Sequence, residues 1–486
     1  MLRLPLLKSL EPLSIWKTLT PPLKHQHVDT FVLLYDQGPL EAPVRFKQIL
    51  SRIRQQVRYH PRFQQIYRAP LTPFSAPSWS LDENFNAEYH VRHIALPKPG
   101  DWRQFCIQVA RLHSRDLDST RPLWEINVIE GLDQVPGLAP GHFALVCKIH
   151  NSLMTPEIPD LLWNLQDQAQ TDPALSSPKP ASPLTMIDTL LGITRHSCDL
   201  ALRPLTEPLG QAGAFAGRQW SELRPLVRLV GRGVTGHRRV PYSRFNTNVS
   251  SFRVWEGCFL PLDAFNDLLN RLPQVTENDL LLTVIGSAMR DYLCAQGELR
   301  NRMLWSLAPL EGQIGESTGH TEPTYTISQL ATDQADPLAR LASISHWRRE
   351  RCAPAAQQPL REAPLSTLSP LQNMSFANRE LHRHQRTEAA GAPLYNTALI
   401  GFNTGSSEHS LLGAPLVYCS GVPEITDGLG LVHLASRHGD KLVLTFTSCR
   451  EMLPDPEHYR KCIQHSFNQL LQAVDDNPDL ESSDAD

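Results

Sequence analysis

A chain of 486 residues, 41% of them hydrophobic, is long enough to fill two cores of ordinary size. A formal net charge of -4 argues against a general nucleic-acid binder, whose phosphate-reading surface declares itself as a basic domain. The nine cysteines form no CxxC pair and no metal-like spacing, which fits free thiols in a reducing compartment and no metal site.

No apolar run approaches the length of a transmembrane span, and the start Met1-Leu2-Arg3-Leu4-Pro5-Leu6-Leu7-Lys8 is too short and too soon broken for a signal peptide. A cytoplasmic protein, or one peripheral to a membrane, is expected. The 40 prolines gather at element boundaries, and no internal repeat is present.

In chain order, the β-branched and aromatic run over residues 30–35 predicts the first strand. Phe46, Leu50, Ile53 and Val57 recur at helical spacing, which predicts an amphipathic helix over 46–59 ended by His60 and Pro61. Residues 63–67 resume as strand, and His90 and His93 read as surface or strand histidines. Phe105, Ile107, Val109 and Leu112 fit a helix over 102–113 better than a strand, with an imperfect period. A strand starting within 121–125 is expected to pair with the apolar run that contains Val146 and ends at His150. That run is bounded by Gly141 before and by a Ser, Thr and Pro cluster after, so it reads as a buried strand ending in a polar turn. Chemistry, if present, belongs at that turn.

Residues 160–165 make a plausible short helix, and 167–183, with Pro173, Pro178, Pro180 and Pro183 among serines, read as a solvated linker. From Arg195 to Arg239, eight arginines stand against Asp199, Glu207 and Glu222. Arg224, Arg228, Arg232, Arg238 and Arg239 therefore either lie solvated on a helical linker or meet an anionic membrane surface or the phosphates of CoA.

In the second half, Phe252, Val254, Phe259 and Leu260 are strand candidates and 262–272 a helix. Residues 278–293 give the clearest helix in the chain, with Asn278 or a neighbour able to cap it. An amphipathic helix over 338–351 and a long exposed loop over 352–371 follow. Residues 396–403 read as strand, 427–435 and 441–446 as a hairpin, 456–474 as a closing helix and the acidic end 475–486 as disordered.

Several stretches stand in a telling order: Leu96-Pro97-Lys98-Pro99-Gly100, Leu112-His113-Ser114, Arg121-Pro122-Leu123-Trp124-Glu125, Ile129-Glu130-Gly131-Leu132 and Asn278-Asp279. With them the chain resembles the bacterial wax ester synthase/diacylglycerol acyltransferase (WS/DGAT) family, from Pro12 to about Val474. The resemblance implies an α/β (α+β) fold of two chloramphenicol-acetyltransferase-like halves, each a mixed sheet flanked by helices, with a channel between them. It divides the chain into an N-terminal half (1–167), a linker with basic helices (168–244), a C-terminal half (245–474) and an acidic tail (475–486). By the same resemblance, Trp124 packs under the reaction turn, Asn278 and Asp279 sit at the junction near the channel, and Asn403 opens a turn beside a channel-sealing crossover strand.

The family's reaction centre is the motif HHxxxDG, whose second histidine takes the proton of an acceptor hydroxyl as it attacks an acyl-CoA thioester. The matching letters here are His150-Asn151-Ser152-Leu153-Met154-Thr155-Pro156, in which only the first histidine survives. A base for this task needs a pKa near the working pH, which imidazole has and the carboxamide of Asn151 has not. Thr155 replaces the family aspartate with an uncharged hydroxyl, and Pro156 forbids the close approach or unusual φ of the family glycine. If the segment is extended, alternation turns the His150 imidazole away from the channel, and counting the motif from His150 puts Met154 at the aspartate position. His150 is read as a core or strand-end histidine bonded to backbone, with catalysis as the alternative.

The implied function is a catalytically silent member that binds acyl-CoA or lipid, meets a membrane or lipid-inclusion surface, or associates with an active family member. An active O-acyltransferase of altered specificity and a scaffold used only for protein contacts remain open. No cofactor is expected beyond acyl-CoA as ligand or substrate.

Overall fold

The computed structural model describes residues 28–68, 78–135, 140–150, 153, 240–299, 302–309, 325–356, 393, 395–403, 409–438 and 441–477. β1 (Val28–Asp36) opens the described chain. α1 (Phe46–Tyr59) follows, its first turn fixed by Gln48 Oε1 accepting from the Arg45 amide at 2.8 Å. It buries Ile49, Leu50, Ile53 and Val57, the face that the sequence spacing predicts. The strand expected over 63–67 starts later: residues 61–64 form a 3₁₀ turn with Pro61 leading it, and β2 (Gln65–Arg68) pairs only with β3 (Ser78–Leu81).

A four-residue helix, α2 (Ala87–His90), runs directly into β4 (Val91–Ala95). His90 is thus neither a surface nor a strand residue; it is 2% exposed at the end of that helix, whereas His93 is an exposed strand residue 2.9 Å from Glu130. The turn after β4 carries Gly100 at φ +68°, and a Cβ there would meet Gly131 O at 1.9 Å, so no other residue fits. α3 (Trp102–Ser114) starts on a reciprocal cap in which Asp101 accepts from the Gln104 amide at 2.7 Å and Gln104 accepts from the Asp101 amide at 3.2 Å.

β5 (Trp124–Leu132) and β6 (His142–His150) pair antiparallel, with Trp124 opposite Ile149. The second half supplies β7 (Arg253–Pro261), α4 (Leu262–Arg271), α5 (Glu277–Ala295), β8 (Trp305–Pro309), β9 (Tyr325–Gln329) and α6 (Pro337–Ala356). Helix α6 runs on through Cys352 to Ala356, where an exposed loop was expected, and residues 357–371 of that loop lie outside the described residues. Then come β10 (Thr397–Asn403), β11 (Ser410–Leu411), β12 (Ala414–Val422), β13 (Leu431–His438), β14 (Lys441–Cys449) and α7 (Pro456–Asp475). Asp475, assigned to the disordered tail by composition, ends α7 and pairs with Arg271 at 2.6 Å; residues 478–486 lie outside the described residues.

Two six-stranded sheets result, in the orders β11-β12-β1-β6-β5-β4 and β7-β14-β13-β10-β8-β9. Both are mixed: β4 pairs parallel to β5, β10 parallel to β13 and β8, and the other pairs are antiparallel. The crossover is made by β12, which follows β10 in the chain. β12 leaves the second half's sequence to pair antiparallel with β1, Val32 opposite Ser420.

The seam between the halves is packed and hydrogen-bonded. Even-numbered residues of β6, Ala144 and Val146, share a core with Phe105 and Val109 of α3 and with Trp255, Tyr418 and Val443. Odd-numbered Phe143, Leu145, Cys147 and Ile149 share the other core with α1. Trp102 donates to Glu256 at 2.6 Å, Trp255 donates to Gly421 O at 3.0 Å, and Ser436 donates to Cys419 O at 2.8 Å. The described cysteines are free, six of them buried, and burial pushes the Cys147 and Cys258 thiols up to about 12.

Candidate active site

The end of β6 is fixed from both sides. The His150 amide donates to Leu123 O at 3.0 Å, and its carbonyl accepts from the Leu153 amide at 2.8 Å, which closes the turn onto the buried Leu153. His150 pairs with Val28 of β1 and is half-buried. Its position shares the face of Lys148 and Val146, toward α3 and the second half, not the face of Ile149, so the expectation that alternation turns it away from the space between the halves does not hold: it is the odd-numbered residues that face away, into the α1 core. Asn151, Thr155 and Pro156 lie outside the described residues, as do Arg224, Arg228, Arg232, Arg238 and Arg239 and the short helix and linker expected over 160–183.

Two residues before His150, Lys148 is 1% exposed and its Nζ donates to Leu112 O at 3.1 Å and to Arg115 O. The ammonium thereby caps the C-terminal carbonyls of α3, where a cation meets the negative end of the helix dipole. Burial outweighs that benefit and pushes its pKa down to about 8, with Glu125 and Asp116 opposing the shift. Across the ladder Lys148 faces Thr30, whose hydroxyl is 2.8 Å from His113 Nδ1. His113 is buried, and burial, with Arg253 and Lys148 adding to it, holds its pKa well below the usual imidazole value. Its ring is therefore neutral at pH 7. The Arg253 amide donates to Ser114 Oγ at 3.3 Å, which ties the start of β7 to the end of α3. Burial also lowers the Arg253 pKa, with Glu424 the largest opposing charge.

Beside His150, three further groups able to carry positive charge thus converge at the end of β6, and of these three the neutral one is an imidazole already engaged by a threonine hydroxyl. Sequence patterning missed all of these except the Leu112-His113-Ser114 letters. Lys148 in particular reads as an interruption of an apolar run, and only the register shows that it faces a helix end.

Trp124, opposite Ile149 near the strand end, is 1% exposed, its Nε1 donates to Phe63 O at 2.8 Å, and its ring stacks on His90 at 4.5 Å. Asn278 and Asp279 lie in the first turn of α5. The cap is their neighbour Thr276, whose hydroxyl accepts from the Asp279 amide at 3.2 Å while Asp279 accepts from the Thr276 amide at 3.0 Å. Asp279 also forms a buried ion pair with Arg348 of α6 at 2.8 Å. Asn278 is 2% exposed and its Oδ1 has no hydrogen-bond partner. The Asn403 backbone pairs with Arg437 at the end of β10, and residues 404–408 lie outside the described residues.

Two family models match the chain: the wax ester synthase/diacylglycerol acyltransferase catalytic domain over residues 17–280 and the WS/DGAT C-terminal domain over 323–471. The chain belongs to the WS/DGAT family. It is 27% identical to a Mycobacterium bovis protein that carries the name of a diacylglycerol O-acyltransferase, over 96% of this chain and 100% of that one. A similarly named Mycobacterium tuberculosis protein is 29% identical over 62% of this chain and 65% of that relative, less than two thirds of its length. Among solved structures, the wax ester synthase/diacylglycerol acyltransferase from Marinobacter aquaeolei VT8 matches at 20% identity with a TM-score of 0.67, covering 96% of this chain and 99% of that one. The first condensation domain of the CDA synthetase matches at 12% identity with a TM-score of 0.50, covering 96% of each. These likenesses establish two acetyltransferase-like halves as the fold of this WS/DGAT member. Among the described residues no helix is long and apolar enough to cross a membrane.

Proposed function

We propose that this WS/DGAT member keeps the acyl-CoA-handling fold of its family without the base that drives the family reaction, and acts as an acyl-lipid-binding or partner protein. One observation carries the reading: directly after β6 the chain writes Asn151, Thr155 and Pro156 where the family motif places a base, an aspartate and a glycine. An amide can hold a hydroxyl but cannot take its proton. The described histidine nearest in sequence, His150, lies on the face toward the second half, so His150→Ala is the variant that separates this reading from an active enzyme.

The partners that fit are acyl-CoA or lipid, an anionic membrane or inclusion surface met through the arginines of 224–239, and an active family member. The experiment is turnover of palmitoyl-CoA with hexadecanol or diacylglycerol by wild type, Asn151→His and His150→Ala. General-base assistance is worth about 10² to 10⁴-fold, so Asn151→His is expected to raise a near-background rate within that range if Thr155 and Pro156 permit it. Wild-type turnover that His150→Ala abolishes would replace this reading with an active O-acyltransferase. A thermal shift with palmitoyl-CoA tests ligand binding separately.

A further inference from the structure

From Ala42 to Leu81 the chain has seven lysines and arginines and no acidic residue, although over the whole chain acids outnumber those bases by 50 to 46. Five of the seven stand on α1 or just before it: Arg45, Lys47, Arg52, Arg54 and Arg58. At about 100° per residue, Lys47, Arg54 and Arg58 fall within about 40° of one another, a stripe about 17 Å long. All three are exposed, as is Arg45. Arg54 is paired with Glu88 of α2, whereas Arg45, Lys47 and Arg58 have no ion pair among the described residues.

Helix stability does not account for this stripe. Arg45 and Lys47 stand at the end of α1 where the dipole favours an anion, and no acid occupies the first turn. Arg54 and Arg58 repel each other at i,i+4 spacing, and Arg58 alone gains from the dipole, in the last turn. Nor does α1 offer an apolar anchor, because Ile49, Leu50, Ile53 and Val57 already lie in the core they share with the odd-numbered residues of β6. What the helix shows outward is charge. A protein partner is held chiefly by a packed centre of aromatic and aliphatic side chains, which this face lacks. A bilayer with anionic headgroups attracts a cluster of cations without any such centre.

We propose that the outward face of α1 is a docking surface for an anionic phospholipid bilayer, held by charge and without insertion. The contact does not rest on the catalytically silent reading, and it is distinct from the surface assigned above to the arginines of 224–239. It places α1 between the bilayer and the first sheet, with the second half on the far side of that sheet.

The test is co-sedimentation of the full-length protein with vesicles of phosphatidylglycerol and phosphatidylcholine at about 3:7, and of phosphatidylcholine alone, in about 50 and about 300 mM NaCl. Wild type is expected on the anionic vesicles at low salt, released at high salt and absent from the zwitterionic ones. Lys47→Gln with Arg58→Gln removes two charges, each worth about 5-fold in partitioning, so binding should weaken about 25-fold while the far-UV circular dichroism stays that of wild type. Arg45→Gln with Lys47→Gln, at the helix start, is the second variant and should weaken binding to the same degree. Wild type that ignores anionic vesicles, or that binds both kinds of vesicle alike, overturns the proposal. So does wild-type binding by both α1 variants, whether or not Arg224→Gln, Arg228→Gln and Arg232→Gln together abolish it. Turnover and the palmitoyl-CoA thermal shift are separate readouts, so failure of the silent or acyl-CoA reading leaves this contact standing.

Discussion

Lys148→Met isolates a buried charge whose energetic signature can be worked from its surroundings. The ammonium is 1% exposed and its pKa is pushed down from 10.5 to about 8. At 1.36 kcal/mol per unit, holding the proton in the fold costs about 3.4 kcal/mol relative to the unfolded chain. A folded pKa below the unfolded one means that the associated stability is present above pH 10.5 and is lost as pH falls through about 8. Integrated between pH 7 and pH 10, wild type gains about 2.5 kcal/mol from this group alone. Methionine is close in length, carries no charge and does not titrate. It also leaves Leu112 O and Arg115 O without their donor, at about 1–3 kcal/mol each, which offsets the relief of charge burial at pH 7. The two proteins should therefore be similar in stability at pH 7, and wild type should pull ahead by about 2.5 kcal/mol at pH 10. Urea unfolding of both at pH 7, 8, 9 and 10 under reducing conditions measures this. Titrating thiols and phenols affect both proteins alike and cancel in the difference. A difference that stays flat over that range would refute the assignment of Lys148 as a buried, desolvated cap of α3.

On the acid side, burial holds His433 down at about 3 and His113 well below its usual value, so their stability is present above pH 6.5 and is lost as pH falls. Each contributes a slope approaching 1.4 kcal/mol per pH unit, and the wild-type lead over His433→Gln should shrink by about 2 kcal/mol from pH 6.5 to 4.5 in denaturant melts. Glu256→Ala leaves Trp102 Nε1 without its acceptor at the seam and should lower stability by about 2–4 kcal/mol, whereas Glu256→Gln keeps an acceptor and should stay within about 1 kcal/mol. Gly286→Ala should destabilise by about 1–3 kcal/mol although alanine favours helices, because the new Cβ meets Leu330 O at 2.4 Å; an increase in thermal midpoint would contradict that packing.

The elements with a local cause were legible in the sequence. The 46–59 helix follows from four apolar residues at helical spacing and a proline after it, and α5 was read as a helix capped at Asn278 or a neighbour, which the structure makes Thr276; the Asp101–Gln104 cap that starts α3 went unread. β12 was not legible. Its partner β1 lies almost 400 residues earlier, and nothing in a run of apolar residues says which sheet it joins. His90 was misplaced for a similar reason. Its burial comes from Phe85 and Trp124, one near in sequence and one not, and a single histidine letter carries no trace of the sandwich. Of the candidate site, the motif letters were readable, whereas the cluster of Lys148, His113, Arg253 and Thr30 is assembled from four separate strands and helices.

The way β6 is held explains how fold and chemistry can part within one family. Its stability rests on Phe143, Leu145, Cys147 and Ile149 in one core, Ala144 and Val146 in the other, and ladders to β1 and β5 on both edges. The ladder to β1 ends at the pair of His150 with Val28, and the ladder to β5 at Ile149 with Trp124. None of these contacts requires an imidazole at 151, an acid at 155 or a glycine at 156. A chain that exchanges those three residues keeps every described interaction that builds the strand, the seam and the second half. Selection on the chemistry can therefore relax while selection on the fold persists, and an intact binding surface is what would keep such a fold in use.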